Sequence, residues 1–230
     1  MREIIFDTET TGLDPKTGDR MVEIGCIEMV NRVATGRTYH AYFNPGRPMP
    51  MEAEKVHGLS DSFLSDKPGF AEKVAELLEF IGDDPLVAHN AQFDFGFLNH
   101  ELVTCGQVEV SMDRMVDTLV IARKRHPGAK HSLDALCTRY GVDRSHRTLH
   151  GALLDAELLA QVYVELTGGR QIGLGLADDG GQDDGAEDVA RRFVPRTGQF
   201  RPPRPHAPSA EELARHKAFL ESLDSPLWTS

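Results

Sequence analysis

Ile4-Ile5-Phe6-Asp7-Thr8-Glu9-Thr10-Thr11-Gly12-Leu13 is the stretch that decides the fold. Its apolar run, Ile4-Ile5-Phe6, reads as a strand over residues 3–9, buried at the centre of a sheet. The run ends in two acids two residues apart. Side chains two apart on a strand point the same way, so Asp7 and Glu9 share one side of the strand end. Two carboxylates placed there repel, and each is costly to desolvate. A divalent cation would offset both costs. The plainer alternative is that the pair caps the turn leading to Gly12.

Outward from this strand, Met21–Val30 and Gly36–Phe43 read as two more, with Thr35-Gly36 as the hairpin turn between them. Pro45, Pro48 and Pro50 then break regular structure. Phe70, Val74, Leu77, Leu78 and Ile81 recur at helical spacing over 70–81, and Gly82 stops them. Residues 85–88 form a short strand, 92–104 a helix, 114–125 a helical stretch, and Ser132–Tyr140 a helix ended by Gly141. The last helix of this series covers 150–166 and ends at Gly168-Gly169. Three strands followed by alternating helices and strands give an α/β fold, a mixed sheet flanked by helices. No glycine fingerprint follows the first strand, so a dinucleotide-binding fold is excluded.

The 230 residues, 40% of them hydrophobic, suffice for one moderate α/β domain plus appendages. Cys26, Cys105 and Cys137 are far apart and form no CxxC pair. That argues against a disulfide framework or a cysteine zinc site. No signal peptide and no 18-residue apolar stretch is visible, so a soluble, cytoplasmic protein without a membrane partner is expected. The formal net charge is −11. Proteins that grip nucleic acid unaided carry a basic footprint, so any nucleic-acid substrate here is met through cations or delivered by a partner.

Asp94 lies in His89-Asn90-Ala91-Gln92-Phe93-Asp94, in the first turn of a helix. Taken singly, it is the acid that a helix N-terminus favours. His150 and Asp155 bracket the start of the last helix in His150-Gly151-Ala152-Leu153-Leu154-Asp155. They do not share a helical face, but a loop His and a second-turn Asp can converge on one cleft. Taken singly, each is a surface residue. Together, four carboxylates and a His are the parts that phosphodiester hydrolysis requires. Two divalent ions about 4 Å apart can activate water, neutralise the phosphate and stabilise the leaving oxygen. Hard carboxylate ligands suit them, and a His can take the water's proton. These ligand types do not separate Mg²⁺ from Mn²⁺.

The three segments, in this order, resemble the motifs of the DEDDh exonuclease superfamily, and His150 with Asp155 shows the H-x4-D spacing of its "h" subclass. Val30-Asn31-Arg32, Val56-His57-Gly58, Asp66-Lys67-Pro68, Ser132-Leu133-Asp134-Ala135-Leu136-Cys137 and Arg147-Thr148-Leu149-His150 further resemble the epsilon, proofreading, subunits of bacterial DNA polymerase III over residues 2–169. The resemblance implies an RNase H-like fold of about five strands. It implies that Asp7, Glu9, Asp94 and Asp155 serve the metals, that His150 is the general base, and that Thr10, Thr11 and Leu13 receive the 3′-terminal nucleotide, Leu13 as a wedge against its base. The substrate it implies is a single-stranded or mispaired DNA 3′ end at the replication fork. A small accessory subunit is a further partner that the chain itself neither requires nor excludes.

Residues 168–208 are dense in Gly, Pro, Asp and Arg, a composition expected of a flexible linker between a 1–169 exonuclease domain and a 209–230 segment. Gln171-Ile172-Gly173-Leu174-Gly175-Leu176 resembles peptides that dock in the beta sliding clamp, with Gln171 at the pocket rim and Leu174 and Leu176 inside it. Ser209 and Glu212 form a capping box ahead of a helix over 209–223, and Leu227-Trp228 is an apolar anchor. The resemblance assigns this segment to the polymerase alpha subunit. The rival reading is a stand-alone nuclease of the same superfamily acting on RNA ends or short oligonucleotides. A non-catalytic scaffold would require a broken acid set, which this chain does not have.

Overall fold

The computed structural model describes residues 1–145, 147, 149–168 and 207–222. The expected first strand is β1 (Arg2–Thr10), followed by β2 (Met21–Val30) and β3 (Val33–Tyr42). Helices α1 (Met51–His57), α2 (Asp61–Leu64) and α3 (Phe70–Ile81) precede β4 (Leu86–Ala88) and α4 (Gln92–Thr104). Then come β5 (Met115–Asp117), α5 (Thr118–Arg125), α6 (Leu133–Tyr140) and α7 (Ala152–Leu166). The five strands form one sheet in the order β3-β2-β1-β4-β5, so β1 is central. It pairs antiparallel with β2 and parallel with β4, and β4 pairs parallel with β5. The expected α/β mixed sheet of about five strands is what the chain forms.

The period-2 alternation of β1 separates two cores. Ile4 and Phe6 join Leu77, Ile81, Phe95 and Leu98 of α3 and α4. Ile5 joins Val87, Ala156, Leu159 and Tyr163 on the α7 side. Asp7 and Glu9 share the parity of Ile5, so the strand turns them toward α7. Thr8, on the other parity, donates to Asp94 of α4. One strand end therefore addresses helices on both layers.

A single glycine sets how closely α7 approaches. Gly25 of β2 lies directly opposite Asp7 of β1. A Cβ at Gly25 would sit 2.3 Å from the backbone N and Cα of Leu153 and 2.5 Å from the carbonyl carbon of Ala152. The first turn of α7 thus rests on bare β2 backbone, which brings Asp155 to the end of β1.

Three sequence expectations are corrected, and two helices are added where the sequence reading assigned none. The β2–β3 turn is at Asn31-Arg32, not Thr35-Gly36; both turn residues have positive φ, 51° and 65°, the two-residue hairpin geometry that suits strand twist. Gly36, φ 86°, instead lies in β3 where the β2–β3 register shifts, so its freedom serves a bulge. The 114–125 stretch divides into β5 and α5, because Asp117 caps α5 by accepting from the backbone N–H of Leu119 at 2.8 Å. Helices α1 and α2 follow the prolines; Pro50 is the N-cap of α1. The last helix of the series starts at Ala152, leaving His150 in the loop and Asp155 in the first turn rather than the second.

The chain divides into two units, Met1–Gly175 and Leu176–Ser230. In the second, α8 (Ala210–Glu221) carries the expected capping box: Ser209 Oγ accepts from Glu212 N–H and the Glu212 carboxylate accepts from Ser209 N–H. Its Leu213 and Phe219 are exposed. The 171–176 motif, Leu223 and Leu227-Trp228 lie outside the described residues. Cys26, Cys105 and Cys137 are free, as expected. Among the described residues no helix is long and apolar enough to cross a membrane.

Gly25→Ala forces helix backbone off sheet backbone, and overpacking of this kind costs about 1–3 kcal/mol. The expected result is a melting temperature lower by about 2–12 °C with hydrolytic activity reduced alongside it. An unchanged melting temperature would show that α7 has slack at this crossing.

Candidate active site

Asp7 and Glu9 come from the end of β1, Asp94 from the first turn of α4, Asp155 from the first turn of α7 and His150 from the loop before it. All five predicted residues meet at one place. Ligand atoms of Glu9, His150 and Asp155 lie within 4.8 Å of one another. Asp94 reaches in from the opposite layer and accepts from Thr8 Oγ1 at 2.8 Å. The backbone N–H of His150 donates to Val56 carbonyl at 3.1 Å, which ties the loop to α1.

Glu9, Asp94 and Asp155 are buried. Burial raises the Asp94 carboxyl to about 7, against the hydrogen bond from Thr8. Burial, then the charges of Glu23, Asp155 and Asp94, push Glu9 up to about 8. Asp7 is held well above the usual carboxylate range by burial and by Asp94, Glu9 and Asp155. Glu101 is the contrast. It is equally buried, but Arg20 grips it through two hydrogen bonds of 2.7 Å and Met21 N–H adds a third at 3.1 Å. Asp7, Glu9 and Asp94 make no such ion pair among the described residues. A cluster of hard oxygen donors held near neutrality by crowding fits divalent cations.

Two members were missed by the sequence reading. Glu23 of β2 is directly opposite Glu9 and buried, so a further carboxylate faces the cluster, with His40 Nε2 2.7 Å from its Oε1. Its only sequence signal is an acid inside the apolar run of β2. Arg147 is the second. Its Nε and Nη2 donate to Asp155 at 2.5 and 2.7 Å, its Nη1 donates to Asp134 at 2.9 Å, and its Nη2 lies 2.7 Å from His150 Nδ1. Asp155 Oδ2 is 3.2 Å from that same His150 nitrogen. One guanidinium thus orients an acid and the histidine together.

The three expected nucleotide-pocket residues behave differently. Thr10 Oγ1 donates to Gly12 carbonyl at 2.6 Å, and Thr11 Oγ1 is engaged by Asp19 and by Arg20 N–H. Both hydroxyls serve the loop after β1. Leu13, in the loop after β1, is 84% exposed, an apolar side chain presented outward.

The pH dependence follows from the signs. Glu9 and Asp94 titrate higher in the folded chain than their ordinary values of 4.5 and 3.8. Stability is therefore present at low pH and lost as pH rises through about 7 to 8. In chelator, the melting temperature is expected to fall between about pH 6 and pH 8.5, and saturating Mg²⁺ to restore more at the higher pH. Glu9→Gln should flatten that slope. Equal restoration at both pH values would contradict the crowded cluster.

The exonuclease family profile (RNase_T) matches residues 4–163. A DNA polymerase III subunit epsilon of Rickettsia felis is 50% identical over 228 residues, 97% of each chain. That of Escherichia coli K12 is 42% identical over 239 residues, 99% of this chain and 97% of its own. Among solved structures, Exonuclease X in complex with 5′-overhanging duplex DNA superposes with a TM-score of 0.57 at 26% identity, covering 72% of this chain and 90% of that one. E. coli Exonuclease I in complex with a dT13 oligonucleotide shares the fold, with a TM-score of 0.60 at 17% identity over 72% of this chain and 40% of that one. With its carboxylates converging at one strand end and its sequence aligned to these relatives nearly end to end, the chain belongs to the exonuclease family and, within it, to the DNA polymerase III epsilon subunits.

Proposed function

We propose that this chain is the proofreading 3′→5′ exonuclease of a replicative DNA polymerase III, removing mispaired 3′-terminal nucleotides in the cytoplasm at the replication fork. The observation that carries the reading is the convergence of Asp7, Glu9, Asp94 and Asp155, three of them buried, with His150 at the end of β1. The four acids hold two divalent ions, Mg²⁺ or Mn²⁺. When bound, these supply charge neutralisation at the phosphate and leaving oxygen and activation of the attacking water.

The chain's own groups do the rest. Water attacks the terminal phosphorus and the bond from phosphorus to the penultimate O3′ breaks. His150 takes the water's proton as general base. The products are a 5′-mononucleotide and a strand one residue shorter with a free 3′ hydroxyl. Arg147 fixes the relative positions of His150 and Asp155. Leu13, exposed in the loop after β1, wedges against the terminal base, while Thr10 and Thr11 shape the backbone of that loop.

The exonuclease domain is residues 1–169. Residues 170–208 act as the linker, with Gln171, Leu174 and Leu176 engaging the beta sliding clamp, and 209–230 bind the alpha subunit. The apolar Leu213 and Phe219 on exposed α8 support that last assignment. The near end-to-end alignment with the epsilon relatives favours it over a stand-alone enzyme.

A primer with a mispaired 3′ end tests the proposal in two arms. Asp7→Ala/Glu9→Ala is expected to lose Mg²⁺-dependent excision by at least about 10³-fold; excision at the parent rate would refute the site. A chain lacking 170–230 is expected to keep excision on single-stranded DNA and to lose capture by alpha subunit and clamp; retained capture would refute the tail assignments.

A further inference from the structure

The acidity of the chain is not uniform. Residues 118–133 contain no Asp or Glu, in a protein with 36 of them, yet carry Arg123, Lys124, Arg125 and Lys130 as well as His126 and His131. Arg123, Lys124 and Lys130 are exposed and pair with no carboxylate among the described residues. Arg125 is different: its guanidinium donates to Leu166 carbonyl at 2.8 Å. The run carries cations with no acid between them.

The segment is held in place. His131 Nε2 is 2.7 Å from His126 carbonyl, and His126 Nε2 is 2.6 Å from the Tyr140 hydroxyl. It also borders the acid cluster. His89, the residue after β4 in the run leading to Asp94, bonds through Nδ1 to Thr118 at 2.9 Å. Burial lowers the His89 pKa, opposed by a backbone hydrogen bond at His131 and the charge of Asp117 and helped by the charges of His131 and Arg123. Beyond the loop, Asp134 in the first turn of α6 accepts from Arg147, which grips Asp155. The segment thus borders the site from both ends, through Thr118 beside His89 and through Asp134 beside Arg147.

We propose that Arg123, Lys124 and Lys130 form the track for the phosphate backbone of the DNA strand whose 3′ end enters the carboxylate site. The proposal rests on the exonuclease reading and adds to it where the strand lies. A local row of unpaired cations gives an otherwise acidic chain a grip on a polyanion without bringing phosphates against its net charge. The chain's own acidic stretch, Asp178 to Asp188, is the competing polyanion; the substrate strand is preferred because its 3′ end must cross the rim of the site.

The test uses the full chain and its Arg123→Gln/Lys124→Gln/Lys130→Gln variant on two substrates: an oligothymidylate, and the p-nitrophenyl ester of thymidine 5′-monophosphate, which has one phosphate and no strand. On the oligonucleotide, KM is expected to rise about ten-fold with kcat within about two-fold, and the salt slope of log kcat/KM to shrink by about 2. Ester hydrolysis is expected to be unchanged. Unchanged oligonucleotide KM and slope overturn the proposal, and so does a parallel loss on the ester. If deleting residues 177–190 speeds the parent on the oligonucleotide but not the variant, the patch serves the chain's own acidic stretch and the proposal falls. If the parent hydrolyses neither substrate, it is the exonuclease reading that fails.

Discussion

The structure turns on mutual repulsion among buried carboxylates at the end of β1. Asp7, Glu9 and Asp94 sit where folding strips their water, next to one another and to Asp155 and Glu23. In a protein interior such charges require a counter-ion or a proton. Within the cluster Arg147 pairs directly with Asp155. Burial and crowding raise Glu9 and Asp94 toward neutral pH and hold Asp7 well above its ordinary range, so the fold holds a site that gains stability from cations. Glu101, equally buried but gripped by Arg20, shows how the same chain neutralises an acid whose job is structural.

The rest of the architecture keeps those acids together. The central position of β1 lets its odd residues face α7 and its even residues face α3 and α4, so helices of two layers each deliver one acid to one strand end. Gly25 lets α7 lie on β2 without a side chain between them, opposite Asp7. The loop bearing Arg147 and His150 is tied to α1 through Val56 and to α6 through Asp134. The loop after β1 is closed by Thr10, Thr11 and Arg20, leaving Leu13 outward.

Much of this was legible in the chain. β1, α3 and α4 stand where apolar runs, helical spacing and stop signals put them, because each is long enough for its period to speak. The acids and His150 were legible as a set because the three segments resemble known motifs in order. Short elements were not: the three residues of β5 have no period of their own, and α1 and α2 are held by packing around Leu59 and Leu64 rather than by pattern. Thr35-Gly36 looked like a turn because glycine signals positive φ, which here serves a bulge, while Asn31-Arg32 adopts that conformation without a glycine. Glu23 and Arg147 escaped notice because their importance lies in cross-strand register and loop packing, neither visible along one chain.

The central claim is that crowding keeps protons on acids that metal ions then displace. Calorimetric titration of Mn²⁺ into the full chain at about pH 7, in two buffers of different ionisation enthalpy, measures both halves of it at once. The account predicts two ions bound per chain, with an observed heat that changes with buffer because about one proton or more is released. Binding heats identical in the two buffers, or no saturable binding, would contradict it.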